Sequence, residues 1–73
     1  MYNITLYENG LFSTHIGGEI QTLPEALAQL EKTASAVAAT ELKHYVGYRF
    51  DRSGTECVLL ITDVWNEPIT REE

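Results

Sequence analysis

Only one stretch of this chain carries sustained helical periodicity, and the rest of the fold must be arranged around it. Between Thr22 and Thr40, Leu23, Leu27, Leu30, Ala34 and Val37 recur at steps of four, three, four and three. That spacing sets them on one face of a 3.6-residue helix. Thr22-Leu23-Pro24-Glu25 reads as its capping box, with Thr22 as N-cap, Pro24 in the first turn and Glu25 three residues on. No glycine marks the end, and the pattern predicts a helix over 22–41, ending between Ala38 and Leu42. The outer face carries Glu25, Gln29 and Lys32 but also Ala28, Ala36 and Ala39. Alanine is the best helix former; such a smooth face also suits contact with another protein.

Strand patterns flank the helix. Tyr2 to Tyr7 and Leu11 to Ile16 alternate around Glu8-Asn9-Gly10, which predicts a first hairpin over 1–18 closed by Gly17-Gly18. A two-residue Asn-Gly loop would pair Leu6 with Ser13 and Ile4 with His15, mixing apolar and polar residues on each face. A three-residue loop with a bulge at Gly10 pairs Leu6 with Phe12, Ile4 with Thr14 and Tyr2 with Ile16, and is the expected register. The second hairpin spans 43–66: His44 to Phe50, a turn at Asp51-Arg52-Ser53-Gly54, and Glu56 to Trp65. A four-residue loop there would pair Arg49 with Glu56, Tyr48 with Cys57 and Val46 with Leu59. Val58-Leu59-Leu60-Ile61 is apolar on both faces, the mark of a central strand. Pro68 limits the sheet, and 67–73 reads as an acidic tail that frays from Thr70. The expected architecture is α+β: a two-layer ββαββ domain, with a four-stranded antiparallel sheet and one helix on one face. A three-stranded sheet with a detached first hairpin is the alternative.

The chain has 73 residues, 44% of them hydrophobic, and a formal net charge of −6. This is one domain. At this size roughly 60% of the unfolded surface is buried, so stability is marginal without tight packing or a partner. With no basic apolar leader, no run near the roughly 18 apolar residues of a membrane span, and a strand pattern close behind Met1, the chain reads as a complete, soluble, cytoplasmic protein. Cys57 is the only cysteine, which excludes an internal disulfide and a cysteine-based zinc site. Eleven acids against five bases disfavour direct binding to nucleic acid. The same balance suits a basic protein surface, including one that normally holds nucleic acid. It also falls in the range of about 2–8 that keeps small domains soluble.

Residues able to carry chemistry are few. His15 and His44 are far apart in sequence and form no metal-ligand spacing. Cys57 in mid-strand reads as a small buried residue rather than a nucleophile. Asp63 and Glu67 bracket Trp65, but acids at a strand end are usually solvated. Gly17-Gly18 is followed by Glu19, which would repel a phosphate. No enzyme activity, cofactor or metal is expected. Aromatic residues say more. Phe12, Phe50 and some tyrosines must fill the core, whereas Tyr7, Tyr45 and Trp65 are candidates for the outer sheet face, where such rings anchor protein interfaces.

Two resemblances follow from these residues. Thr22-Leu23-Pro24-Glu25-Ala26-Leu27 after a hairpin is similar to the strand-to-helix transition of HicB-type antitoxins. It implies an antitoxin-like or adaptor module. In length, acidity and single-domain, cysteine-poor make-up the whole chain resembles small phage inhibitors of the anti-CRISPR kind. That implies a stoichiometric inhibitor of a nucleic-acid-handling complex, acting in the host cytoplasm by protein–protein contact or nucleic-acid mimicry. The candidate mimic residues are Glu8, Glu19, Asp51, Glu56, Asp63 and Glu67. Tyr45, Val58 and Leu60, beside Gly47, form a second candidate contact on the face without a helix. A target protein or a second copy of the chain would cover them, unless the segment around Trp65 and Ile69 folds back over the patch.

Overall fold

The computed structural model describes residues 1–71. In chain order it has β1 (Tyr2–Glu8), β2 (Leu11–Ile20), α1 (Leu23–Ser35), β3 (Thr40–Glu41), β4 (Gly47–Arg52) and β5 (Thr55–Thr62). The strands form one antiparallel sheet in the order β2-β1-β5-β4-β3, and α1 packs on one face of it. The α+β class and the single helix agree with the sequence pattern. The sheet has five strands rather than four, because Thr40 and Glu41 pair with Arg49 and Tyr48. β5 is the middle strand, as its two apolar faces require, and the first hairpin is joined to the sheet through it rather than detached.

Both hairpins turn more tightly than expected. Asn9 and Gly10 take φ of 53° and 82°, and Ser53 and Gly54 take 52° and 84°. Two positive φ values in succession make a two-residue type I′ loop, whose twist matches that of paired strands. In the first hairpin Glu8 therefore pairs with Leu11 and Tyr7 with Phe12. The register then shifts, so that Ser13 is extra and Leu6, Thr5 and Ile4 pair with Thr14, His15 and Ile16. The bulge restores the apolar face that a strict two-residue register would have lost. β2 also runs through Gly17-Gly18 instead of stopping there, and a second shift pairs Tyr2 with Ile20. In the second hairpin Asp51 and Arg52 belong to β4, and Arg49, Tyr48 and Phe50 pair with Val58, Leu59 and Cys57.

The helix begins as predicted. Thr22 is extended (φ −123°, ψ 153°); its Oγ1 accepts from the Glu25 N–H at 3.4 Å and its hydroxyl donates to Glu25 Oε1 at 2.8 Å. It ends at Ser35, short of the expected end between Ala38 and Leu42. Thr33 and Ser35 turn their hydroxyls onto the carbonyls of Gln29 and Lys32, a competition that weakens a helix end. Ala38 then takes φ 46° and swings the chain into β3. Pairing with β4 outweighs the helix propensity of the alanines. The buried stripe is Ala26, Leu30 and Ala34, while Leu27 and Val37 lie at the exposed margin. Small residues on either side of Leu30 let the helix lie close to the sheet. The core beneath holds Ile4, Leu6, Phe50, Cys57, Leu59 and Ile61.

The chain after β5 does not fray at Thr70. It turns back within the plane of the sheet. Ile69 N–H donates to Ile61 O at 2.9 Å, Val46 N–H to Ile69 O at 2.9 Å, and Arg71 N–H to His44 O at 2.9 Å. Arg71 also donates from Nε to Leu42 O and pairs with Glu41 at 2.9 Å. The returning segment takes the Val46 N–H, while Ile61 N–H still donates to Val46 O at 3.1 Å, and β4 starts at Gly47 rather than His44. Glu72 and Glu73, the end of the expected tail, lie outside the described residues.

Two substitutions test this account. Ala38→Gly should raise unfolding free energy by about 0.5–1 kcal/mol, because glycine takes a positive φ without steric penalty. Gly47→Ala should lower it by about 1–3 kcal/mol or more, because a Cβ there runs into the Leu59 carbonyl and the Leu60 side chain. Urea denaturation followed by circular dichroism measures both.

Candidate protein-interaction site

The face of the sheet opposite α1 has no second layer among the described elements. Strand alternation assigns it Tyr7 and Thr5 from β1, Val58, Leu60 and Thr62 from β5, and Gly47, Arg49 and Asp51 from β4. Val58 and Leu60 lie there as the sequence pattern requires. Leu60, however, is only 8% exposed. Its neighbours in register are Thr5 and Gly47, and its Cδ2 would lie 2.7 Å from a Cβ placed on Gly47. The vacancy over the glycine houses the leucine, which leaves little of it for a partner. Val58 is half-buried and Tyr45 is exposed. Ile69 joins the edge of the helix-side core instead of covering this patch.

The apolar surface that remains lies toward β2. The bulge at Ser13 sends Phe12 out on the side of Tyr7, and it is 53% exposed. Phe12 meets the Tyr7 ring edge-on at 6.4 Å and the His15 ring at 5.3 Å. In the sequence Phe12 reads as a core residue opposite Leu6, and the structure corrects that. Asn9-Gly10, the strongest short hairpin signal, would have exposed the error, since a two-residue loop puts Phe12 opposite Tyr7.

A second surface is the loop between β5 and the returning segment. Asp63 Oδ1 accepts from the N–H groups of Trp65 at 2.9 Å and Glu67 at 3.0 Å. Asp63 N–H donates to Glu67 O at 3.0 Å, and Asn66 N–H to Asp63 O at 3.0 Å. Asn66 takes φ 65°, which its short amide tolerates. This network holds Val64 outward and leaves Trp65 78% exposed. Asp63 is thus a structural cap as well as a surface acid. Its signal was present in sequence: Asp-Val-Trp-Asn has Asp at the first position of a turn and Asn at the last.

The six candidate acids do not form one array. β1 and β5 run antiparallel, so Glu8, Asp51 and Glu56 gather at one end of the sheet and Glu19, Asp63 and Glu67 at the other. Seven residue steps from Glu56 to Asp63 separate the ends, about 23 Å at 3.3 Å per residue. At the first end Asp51 and Glu56 face each other directly, and Arg49 lies diagonal to Glu56 at 3.7 Å. Glu8 accepts from the Ser13 hydroxyl at 2.9 Å.

The groups able to do chemistry are kept apart. Cys57 is buried on the helix side, whereas His15 lies on the opposite face. His15 Nδ1 is 3.1 Å from Thr5 Oγ1, which is 2.8 Å from Thr62 Oγ1. Both threonines are 0% exposed, so this hydroxyl pair ties β1 to β5 and offers no access to a substrate. Among the described residues no group of three or more His, Cys, Asp or Glu could hold a metal ion, and no helix is long and apolar enough to cross a membrane. Leu23, Leu27, Val46 and Ile69 line an open cleft of about 420 Å³ whose rim carries Arg71, already engaged by Glu41 and Leu42 O. Comparisons of the chain with family models, curated proteins and solved structures return no match.

The loop network gives a direct test. Asp63→Ala removes the acceptor of two N–H groups and should lower stability by about 1–3 kcal/mol. Trp65 is the only tryptophan, so its fluorescence anisotropy should fall in the same variant, while Asp63→Asn, which keeps an oxygen acceptor, should retain most of both.

Proposed function

We propose that the protein works by stoichiometric binding to a protein with a basic surface, as an inhibitor of a nucleic-acid-handling complex of the anti-CRISPR kind, in the cytoplasm of a host cell. The observation that carries this reading is the Asp63-built loop. Val64 and Trp65 are held out at its tip by the Asp63 carboxylate, with Glu67 exposed two residues beyond Trp65 in the chain. A tryptophan whose backbone is already held needs little further backbone ordering on binding, and tryptophan is among the residue types enriched at binding hot spots. Its complement is an apolar pocket rimmed by Lys or Arg, and the chain's charge of −6 would steer it toward such a surface.

Between the two modes of inhibition, local protein contact is favoured over mimicry of a continuous phosphate backbone. The acids lie in two groups at opposite ends of the sheet, where each can rim a separate contact. A second reading, an antitoxin-like or adaptor module, draws on the hairpin that runs directly into the capped helix at Thr22. A small basic toxin as the partner would select it.

Titration into a purified CRISPR effector complex provides the test. Inhibition should saturate at one chain per binding site and weaken steeply with salt. Trp65→Ala should raise the inhibitory concentration about tenfold or more. No inhibition across the effector classes, or inhibition indifferent to both salt and Trp65, would remove the proposal.

A further inference from the structure

We infer that two copies of this chain pair edge to edge through β2, joining their sheets into one. This does not depend on the function proposed above. The two edges of the sheet are treated differently. At one edge, β3 is two residues long and is flanked by the Glu41–Arg71 ion pair. Short strands and charges of this kind block pairing with another chain. At the other edge, β2 runs for ten residues with no neighbour beyond it among the described residues. Its outward backbone groups are a template for another strand.

Charge identifies the occupant. The chain carries −6 overall, yet no Asp, Glu, Lys or Arg occurs from Gly10 to Gly18. Two copies repel one another over most of their surface and least along this edge. A foreign basic partner would find carboxylates only toward the ends of this edge, at Glu8 and Glu19, and none along the run from Gly10 to Gly18. Leu11 and Phe12 are exposed at the same margin, where they would be covered by the second copy.

The register follows from the irregularities in β2. One shift occurs at Ser13 and another around Gly17-Gly18, leaving Thr14 to Ile16 as the regular run. A twofold axis at His15 makes the contact isologous. It places Ser13 opposite Gly17 of the second copy, so that each irregular position meets an irregular position.

Sedimentation velocity over a concentration series decides the matter. The chain should approach twice its 8.2 kDa mass at high micromolar concentration. Phe12 and Thr14 point to opposite faces of the edge. The double variant Phe12→Lys/Thr14→Lys should raise the dissociation constant about tenfold or more, because the change at position 14 sets like charges diagonally across the axis and the change at position 12 removes the apolar ring. In the unmodified chain, amide exchange in β2 should slow as concentration rises, a reading independent of how the variant folds. A monomer at every concentration would overturn the inference. So would a dimer that leaves β2 exchange unchanged, since it would use another face.

Discussion

β1 and β5 lie side by side at the centre of the sheet, and the other contacts depend on that pairing. The first strand meets the last one, with Ile4 opposite Ile61 and Leu6 opposite Leu59. These side chains are almost wholly buried and form the floor on which Leu30 rests. Each full burial of this kind is worth about 1.5–3 kcal/mol, a large share of the stability of a small domain. On the opposite face the same two strands are tied by the buried Thr5 and Thr62 hydroxyls. At one end Asn9 closes the junction: its N–H donates to Glu56 O at 2.8 Å and its Oδ1 accepts from Glu56 N–H at 3.3 Å.

Small residues decide how closely the layers approach. Ala26 and Ala34 bring the helix down onto the sheet, and Gly47 makes room for Leu60 on the far side. With Leu60 housed in this way, the helix-free face presents Phe12, Tyr7 and Val58 in place of a continuous aliphatic patch. The most exposed apolar side chains lie at the Leu11-Phe12 margin and on the Val64-Trp65 loop, with Met1, Leu27, Val37 and Tyr45 exposed elsewhere. The first two groups lie on rigid backbone, one on a bulged strand and the other on a loop held by the Asp63 carboxylate. Such surfaces bind without much ordering.

Much of the architecture was legible in the residues. The capping box at Thr22, the two apolar faces of β5 and the position of Leu59 and Ile61 beneath the helix all follow from local chemistry and period. The acid-rich composition and the scarcity of chemical groups were equally plain, whereas Asp63 to Trp65, read as the end of a strand, form the turn that presents Trp65. Register was harder. An assumed unbroken strand pairing put Phe12 inside, because parity was carried past a bulge that only the competing demands of Asn9-Gly10 and Ile16 create. The helix end was misplaced for a related reason, since Ala36 to Ala39 favour helix locally and yield only to pairing with β4.

The sequence by itself determined where the helix starts, that a hairpin lies on either side of it, that one helix covers one sheet face, and that the chain is acidic with exposed aromatic candidates. Those properties reside in side-chain period and composition, which need no knowledge of neighbours. Only the tertiary structure decided the strand order, the fifth strand, the return of the C-terminal segment beside β5, and the division of the acids between two ends. Each of these is set by contacts between residues remote in the chain. The free energy of such contacts depends on what the facing strand presents, and local pattern does not carry that information.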